Sequence, residues 1–169
     1  MTPIEIIGQI LGITATVIMT LSYQINNKGR LLLIQMLGTA LMCVHYLLIG
    51  GMSGFWLNVV GVARNLAYFF SDRFPWINKV APLLFTALMA LMSALTWHAW
   101  YSVFIALGLI INTYCLSIKD TQTFRKTILI SCPLVLIYNL FVFSIGGLLL
   151  ESISIISAIV GLYRYRKNK

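Results

Sequence analysis

Charge is what this sequence has least of. Only 9% of its 169 residues are Asp, Glu, Lys or Arg, and just four of those are acidic. A soluble domain carries about 25% charged residues to keep its surface in water, so a water-exposed globule is excluded. Cysteine is sparse as well: Cys43, Cys115 and Cys132 stand far apart inside apolar stretches, with no CxxC or paired spacing for a disulfide framework or a metal site. They read as small packing residues. Two His, two Glu and two Asp, with no HExxH, no GxSxG, no close acid pair and no nucleophile beside a base, leave little material for catalysis. His45 and His98 are too isolated to bind a metal. The expectation is a chain that is not an enzyme and holds no metal or cofactor.

What is abundant is apolar sequence, 60% of the chain in long unbroken blocks. A helix crosses the hydrocarbon core in roughly 17–25 residues, and seven blocks fit: about 4–25, 31–49, 55–71, 80–97, 99–117, 127–145 and 148–163. The expected fold class is therefore an all-α membrane protein of seven transmembrane helices. The net charge of +8 is read by position. Eleven of the twelve basic residues occupy four places: Lys28 and Arg30; Arg73 and Lys79; Lys119, Arg125 and Lys126; and Arg164, Arg166, Lys167 and Lys169 in the tail. With no basic helix or aromatic-interleaved patch among them, nucleic acid is not a partner. The connections alternate between basic and uncharged, as seven crossings require. The positive-inside rule then puts the basic ones and the carboxyl terminus in the cytoplasm, and the amino terminus outside. The first block reads as a helix and not a cleaved signal peptide: it lacks a basic leader, carries Glu5, and is followed at once by positive charge. Between blocks four and five only Thr96-Trp97-His98 intervenes; a single 38-residue helix is too long for the bilayer, so a hairpin is expected.

Sliding the chain against itself by 93 residues lays helices one to three on five to seven without a gap. Thr20 falls on Thr113, Gly54 on Gly147 and Leu57 on Leu150; His45 meets Tyr138, and Asn58 meets Glu151. The same offset aligns both basic loops and both glycine turns. Each helix moves by four, so the halves point the same way. The plan is 3+1+3: a three-helix bundle over 1–78, a linker helix over 79–98, and a second bundle with its basic tail over 99–169. Substrate sites in folds of parallel repeats lie between the repeats near mid-membrane.

The run Leu21-Ser22-Tyr23-Gln24-Ile25-Asn26-Asn27-Lys28, then His45 to Gly51, then Gly54 to Asn65 ending Ala63-Arg64-Asn65, resembles the YgjV family of bacterial inner-membrane proteins. Ser154-Ile155-Ile156-Ser157 leading to Gly161-Leu162-Tyr163-Arg164-Tyr165 is similar to that family's last helix, and the resemblance covers essentially the whole chain. It implies the inner membrane, a fold shared with the wider SWEET, PQ-loop and nicotinamide riboside transporters, and a transport class. The Pro-Gln pair of true PQ-loop proteins is missing; Gln24 follows Tyr23.

Arg64, the twelfth basic residue, lies about ten residues into helix three, some 15 Å deep. An Arg at that depth costs about 2.5–3.5 kcal/mol unless it is paired or hydrated. Asn58, Gly61, Asn65, Tyr68 and Asp72 share its stripe, while Val59, Val60, Val62, Ala63 and Leu66 form an apolar side. Arg64 either ties helices together, through Glu151 or backbone carbonyls, or lines a pocket for a polar or anionic solute group. Glu151, one turn into helix seven, continues into Ser154, Ser157, Ala158 and Gly161, a face that also suits close packing. It either pairs with Arg64, from which it differs by about 9 Å in depth, or titrates and couples a proton. Asn112, His45, Tyr46 and Asn139 complete the candidate pocket, though a lone Asn or His in a bundle more often makes one interhelical hydrogen bond. The expectation is a transporter of a small polar solute, working by alternating access at Arg64, Asn65, Asn58, Glu151 and Asn112. The rival is a membrane scaffold or regulatory subunit with a dry, packed centre.

Overall fold

The computed structural model describes residues 2–22, 28–115 and 121–166. Tyr23 to Asn27, Lys119, Lys167 and Lys169 lie outside the described residues. Among those described, the chain forms seven α-helices: α1 (Pro3–Ser22), α2 (Lys28–Leu48), α3 (Met52–Phe69), α4 (Ile77–Leu95), α5 (Ser102–Cys115), α6 (Thr121–Phe141) and α7 (Ile145–Arg166). Each covers one of the seven apolar blocks. The largest departure is at α6, which starts six residues ahead of its block because the basic segment before the apolar run is itself helical.

The distribution of polarity is the reverse of a water-soluble protein's. Outward-facing positions are large and apolar, such as Ile4, Ile7 and Ile10 on α1, Leu83, Leu91 and Leu95 on α4, and Ile156, Val160 and Tyr163 on α7. Buried positions include Gln9, Thr39, His45, Arg64, Asn65, Thr113 and Asn139. In hydrocarbon the polar groups must be satisfied inside the bundle, so this inversion suits lipid and not water. Pro3–Leu21, Gly29–Leu48, Ile77–Leu95 and Ile145–Tyr163 are long and apolar enough to span a membrane. In α3 the polar residues Asn58, Arg64 and Asn65 lower the apolar content, and α5 has 14 residues.

Each helix packs on its neighbours in the chain, α7 returns onto α1, and α3 also meets α5. The helices therefore form a ring, α1–α2–α3–α5–α6–α7, and α4 packs across the α3–α5 seam. Leu57, Met89, Ile105 and Tyr138 are nearly or fully buried within it. Helix α4 stops at a local competitor for its backbone: the Thr96 hydroxyl donates to the Met92 carbonyl at 2.7 Å, beside the Thr96 amide at 2.9 Å. The chain then turns into α5 over residues 96–101.

Two turns 93 residues apart are built alike. The Gly51 amide bonds the Tyr46 carbonyl at 2.8 Å, and the Ser144 amide bonds that of Asn139 at 2.9 Å. Phe55 closes onto Gly51 at 2.9 Å, as Leu148 closes onto Ser144 at 2.9 Å. The left-handed residue is Gly50 (φ +77°) in the first turn and Phe143 (φ +53°) in the second. Gly pays nothing sterically for that conformation, whereas Phe143 bears a strain of roughly 1–2 kcal/mol. Both turns, the α4–α5 connection and the start of α1 gather at one end of the bundle. There Ser53 donates to the Thr96 carbonyl (2.9 Å) and shares a hydrogen bond with Ser102 (2.9 Å), while Gln9 caps α7, its Oε1 accepting from the Ile145 amide at 2.9 Å and its Nε2 donating to the Phe143 carbonyl.

Candidate functional site

At the middle of the ring lies a cavity of about 160 Å³, walled by residues from all seven helices. Polar side chains on its wall include Gln35, Thr39, Tyr46, Asn58, Arg64, Asn65, Asn112, Glu151 and Ser154; apolar ones include Met19, Met42, Leu57, Met89, Ile105 and Leu150. Seven pairs of wall residues are separated by 93 positions: Met19 and Asn112, Gln35 and Ile128, Thr39 and Cys132, Met42 and Val135, Leu57 and Leu150, Asn58 and Glu151, Gly61 and Ser154. Two thirds of the wall thus comes from matched positions at the two ends of the chain. The charges break the match. Glu151 stands opposite an asparagine, and the counterpart of Arg64 is Ser157.

Helix α3 directs Arg64 inward because Leu57, Val60, Gly61, Arg64, Asn65 and Tyr68 fall on one buried face at helical spacing. Val60, expected from the sequence on the apolar outer side, belongs to this buried face: it lies three residues after Leu57 and four before Arg64, and its side chain closes the gap between them. Val59, Ala63 and Leu66 face outward. Arg64 is 8% exposed. Its NH1 group donates to Thr113 Oγ1 at 2.8 Å and its NH2 group to Asn65 Oδ1 at 3.3 Å, while its Nε has no partner. Asn65 in turn donates to Thr39 Oγ1 at 3.3 Å, and Thr39 donates to the Gln35 carbonyl at 2.7 Å. One hydroxyl and one amide hold the guanidinium in place without neutralising it, and the Thr39 hydroxyl holds the amide. Glu151 is not among its partners; the Cys132 thiol lies beside the carboxyl group instead. The alternative in which Arg64 and Glu151 form a buried pair is therefore set aside: an offset of six residues of helix, about 9 Å, separates them.

Asn58 lines the cavity and donates to the Gly54 carbonyl at 2.8 Å within its own helix. Asn112 is half-buried on the wall. His45 and Asn139 are placed elsewhere. Both are fully buried at the turn end and off the wall, occupied by contacts between the two halves of the chain. His45 Nδ1 donates to the Gly8 carbonyl at 2.7 Å, and in the neutral ring Nε2 then accepts from Ser144 Oγ at 2.6 Å. Tyr46 donates to Asn139 Oδ1 at 2.7 Å, and Tyr138 Oη accepts from the Gly54 amide at 3.0 Å. Tyr138 is flanked by the rings of Tyr46 and Tyr101, each with centroids 6.0 Å away, so aromatic rings roof the cavity at this end. Among the described residues no group of three or more His, Cys, Asp or Glu is placed to hold a metal.

Thr39 and Thr113, which position the arginine and its amide neighbour, do not stand out in the sequence as site residues. The signal for Thr113 is its place opposite Thr20 in the 93-residue match; that for Thr39 is its place opposite Cys132, a wall residue. No curated protein and no solved structure matches the chain. A family model described as a bacterial inner membrane protein, Imp-YgjV, matches residues 6–169. With apolar helices on the outside, a polar interior and a match over nearly its whole length, the chain belongs to the Imp-YgjV family of bacterial inner membrane proteins.

Proposed function

We propose that this protein carries a small polar solute across the bacterial inner membrane by alternating access, with α1–α3 and α5–α7 as two parallel three-helix repeats and α4 as their linker, in the manner of SWEET-type transporters. All seven helices cross, with the turn end outside and the basic connections in the cytoplasm. The observation that carries the reading is the central cavity, polar on its wall and containing an arginine with no acidic partner. A membrane-buried cation held by one hydroxyl and one amide is costly to keep unless it meets solute or water. A packed scaffold has no use for that cost.

Support for the repeat comes from Tyr46 and Asn139. They are counterparts at the 93-residue offset, and they bond to each other. Under a two-fold operation, a residue in contact with its own counterpart lies on the axis. The axis then passes through the aromatic roof and down into the cavity, between repeats, where such transporters place their site. The hydrogen bonds Tyr46–Asn139, Tyr138–Gly54 and Ser53–Ser102 close the outer end between the halves, which makes this conformation closed to the outside. Rocking the two bundles apart at that end exposes the cavity outward.

Cys132, on the cavity wall, is a native reporter. With Cys43 and Cys115 replaced by alanine, a small water-soluble methanethiosulfonate reagent should modify Cys132 in the folded protein, at a rate well below that of an exposed thiol because the thiolate it needs is disfavoured by burial beside the Glu151 carboxyl, yet far above that of a sealed one. A Cys132 that reacts only after unfolding means a dry centre, and the scaffold reading replaces transport.

A further inference from the structure

The cavity holds one uncompensated cation and one uncompensated anion, each contributed by a different half of the chain. Arg64 is nine-tenths buried, lines the cavity, and has an Nε with no partner. Glu151 lines the same cavity beside a thiol. At the 93-residue offset neither charge meets another charge: Asn58 answers Glu151, and Ser157 answers Arg64. Two charges that do not neutralise each other across one cavity are complementary to a solute carrying both signs. We infer that the solute is a small zwitterion of amino-acid type, its carboxylate taken by Arg64 and its ammonium by Glu151.

The dimensions agree. Arg64 and Glu151 are 12 and 6 residues from the same ends of parallel helices, a difference in depth of about 9 Å at 1.5 Å per residue. That offset keeps the two groups out of direct contact and leaves each one free to make charge-assisted hydrogen bonds of about 2.8 Å to a solute between them. The cavity volume of about 160 Å³ is many times the roughly 10–15 Å³ of such space that one water needs, which leaves room for a small solute. Arginine suits the carboxylate because its planar fork binds two oxygens at once, and its NH1 and NH2 groups are already fixed by Thr113 and Asn65. Because the charges sit in different repeats, a solute bridging them joins the halves, and its loss releases them.

This inference rests on the cavity being a solute site, and its test separates the two. Binding to the purified wild-type protein is measured by calorimetry for L-alanine, β-alanine and 4-aminobutanoate, against the singly charged propanoate and propylammonium and the neutral glycerol. At least one zwitterion should bind at least tenfold more tightly than either singly charged probe. Glu151→Gln, which keeps size and shape, should bring that zwitterion to within about twofold of propanoate. Arg64→Gln should bring it to within about twofold of propylammonium. Propanoate binding as well as the zwitterions, or no probe binding at all, overturns the inference. If Cys132 is meanwhile reactive to the aqueous thiol reagent, the transport reading stands and only the solute class is wrong. If Cys132 is sealed, both fall.

Discussion

Arg64 and Glu151 face one cavity without forming an ion pair, and that has a measurable consequence for stability. Breaking a buried pair strands a charge and costs about 3–5 kcal/mol. Arg64→Ala removes an unpaired cation together with its bonds to Thr113 and Asn65. The relief of the burial cost offsets the loss of those bonds, so unfolding stability in a fixed detergent should change by no more than about 1 kcal/mol, since a hydrogen bond in a membrane bundle averages about 0.6 kcal/mol. Glu151→Gln should act independently, and the double variant should equal the two singles added together to within about 0.5 kcal/mol. Strong rescue of one substitution by the other makes Arg64 a structural tie. Depth along the helices is legible in the sequence, because six residues of offset between Arg64 and Glu151 follow from counting. Whether a given polar side chain faces the cavity or a neighbouring helix is not. His45 and Asn139 are polar like Asn58 and Asn112, yet His45 is held by Gly8 and Ser144, and the Asn139 amide oxygen by Tyr46. Rotation about the helix axis and the identity of the partner across the ring decide that, and neither is written in one helix.

Helices are the most legible feature, since long apolar blocks bounded by charge leave the backbone no other way to satisfy itself in lipid. The contacts between helices are less so. Helices α1 and α7 approach until Gly146 meets the Gly12 backbone, and a Cβ at Gly146 has no room there. The Thr16 hydroxyl reinforces the approach by donating to the Gly146 carbonyl at 2.7 Å, with the Gly12 carbonyl 3.0 Å away. Small residues at such crossings allow backbone packing that leucine forbids. Gly146→Ala should therefore lower stability by about 1–3 kcal/mol, the usual cost of forcing extra volume into a packed contact. Thermal unfolding of that variant beside Gly50→Ala tells sterics from backbone freedom, because Gly50 has open space around it and only its positive φ to lose. Equal, small effects at both positions contradict the close approach. The 93-residue match within the chain pairs Gly54 with Gly147 but offers nothing for Gly146, whose counterpart is Ser53. The constraint there comes from a helix in the other half.

At the scale of the molecule, the proposed transport cycle needs one cavity reached in turn from two sides, with its outer roof held shut by bonds between the halves. The direct test is sidedness. Protein with Cys132 as its sole cysteine is reconstituted in vesicles of known orientation, and a membrane-impermeant methanethiosulfonate reagent is added to one face at a time. Cytoplasmic addition should modify Cys132 at least tenfold faster than outer addition, which should still be measurable. Tyr46→Phe deletes the bond to Asn139 on the axis. At about 0.6 kcal/mol for such a bond in a membrane bundle, the outer rate should rise about threefold while the cytoplasmic rate falls or holds. Modification from the cytoplasmic face alone, unchanged by Tyr46→Phe, contradicts alternating access and leaves a pocket that opens to one side.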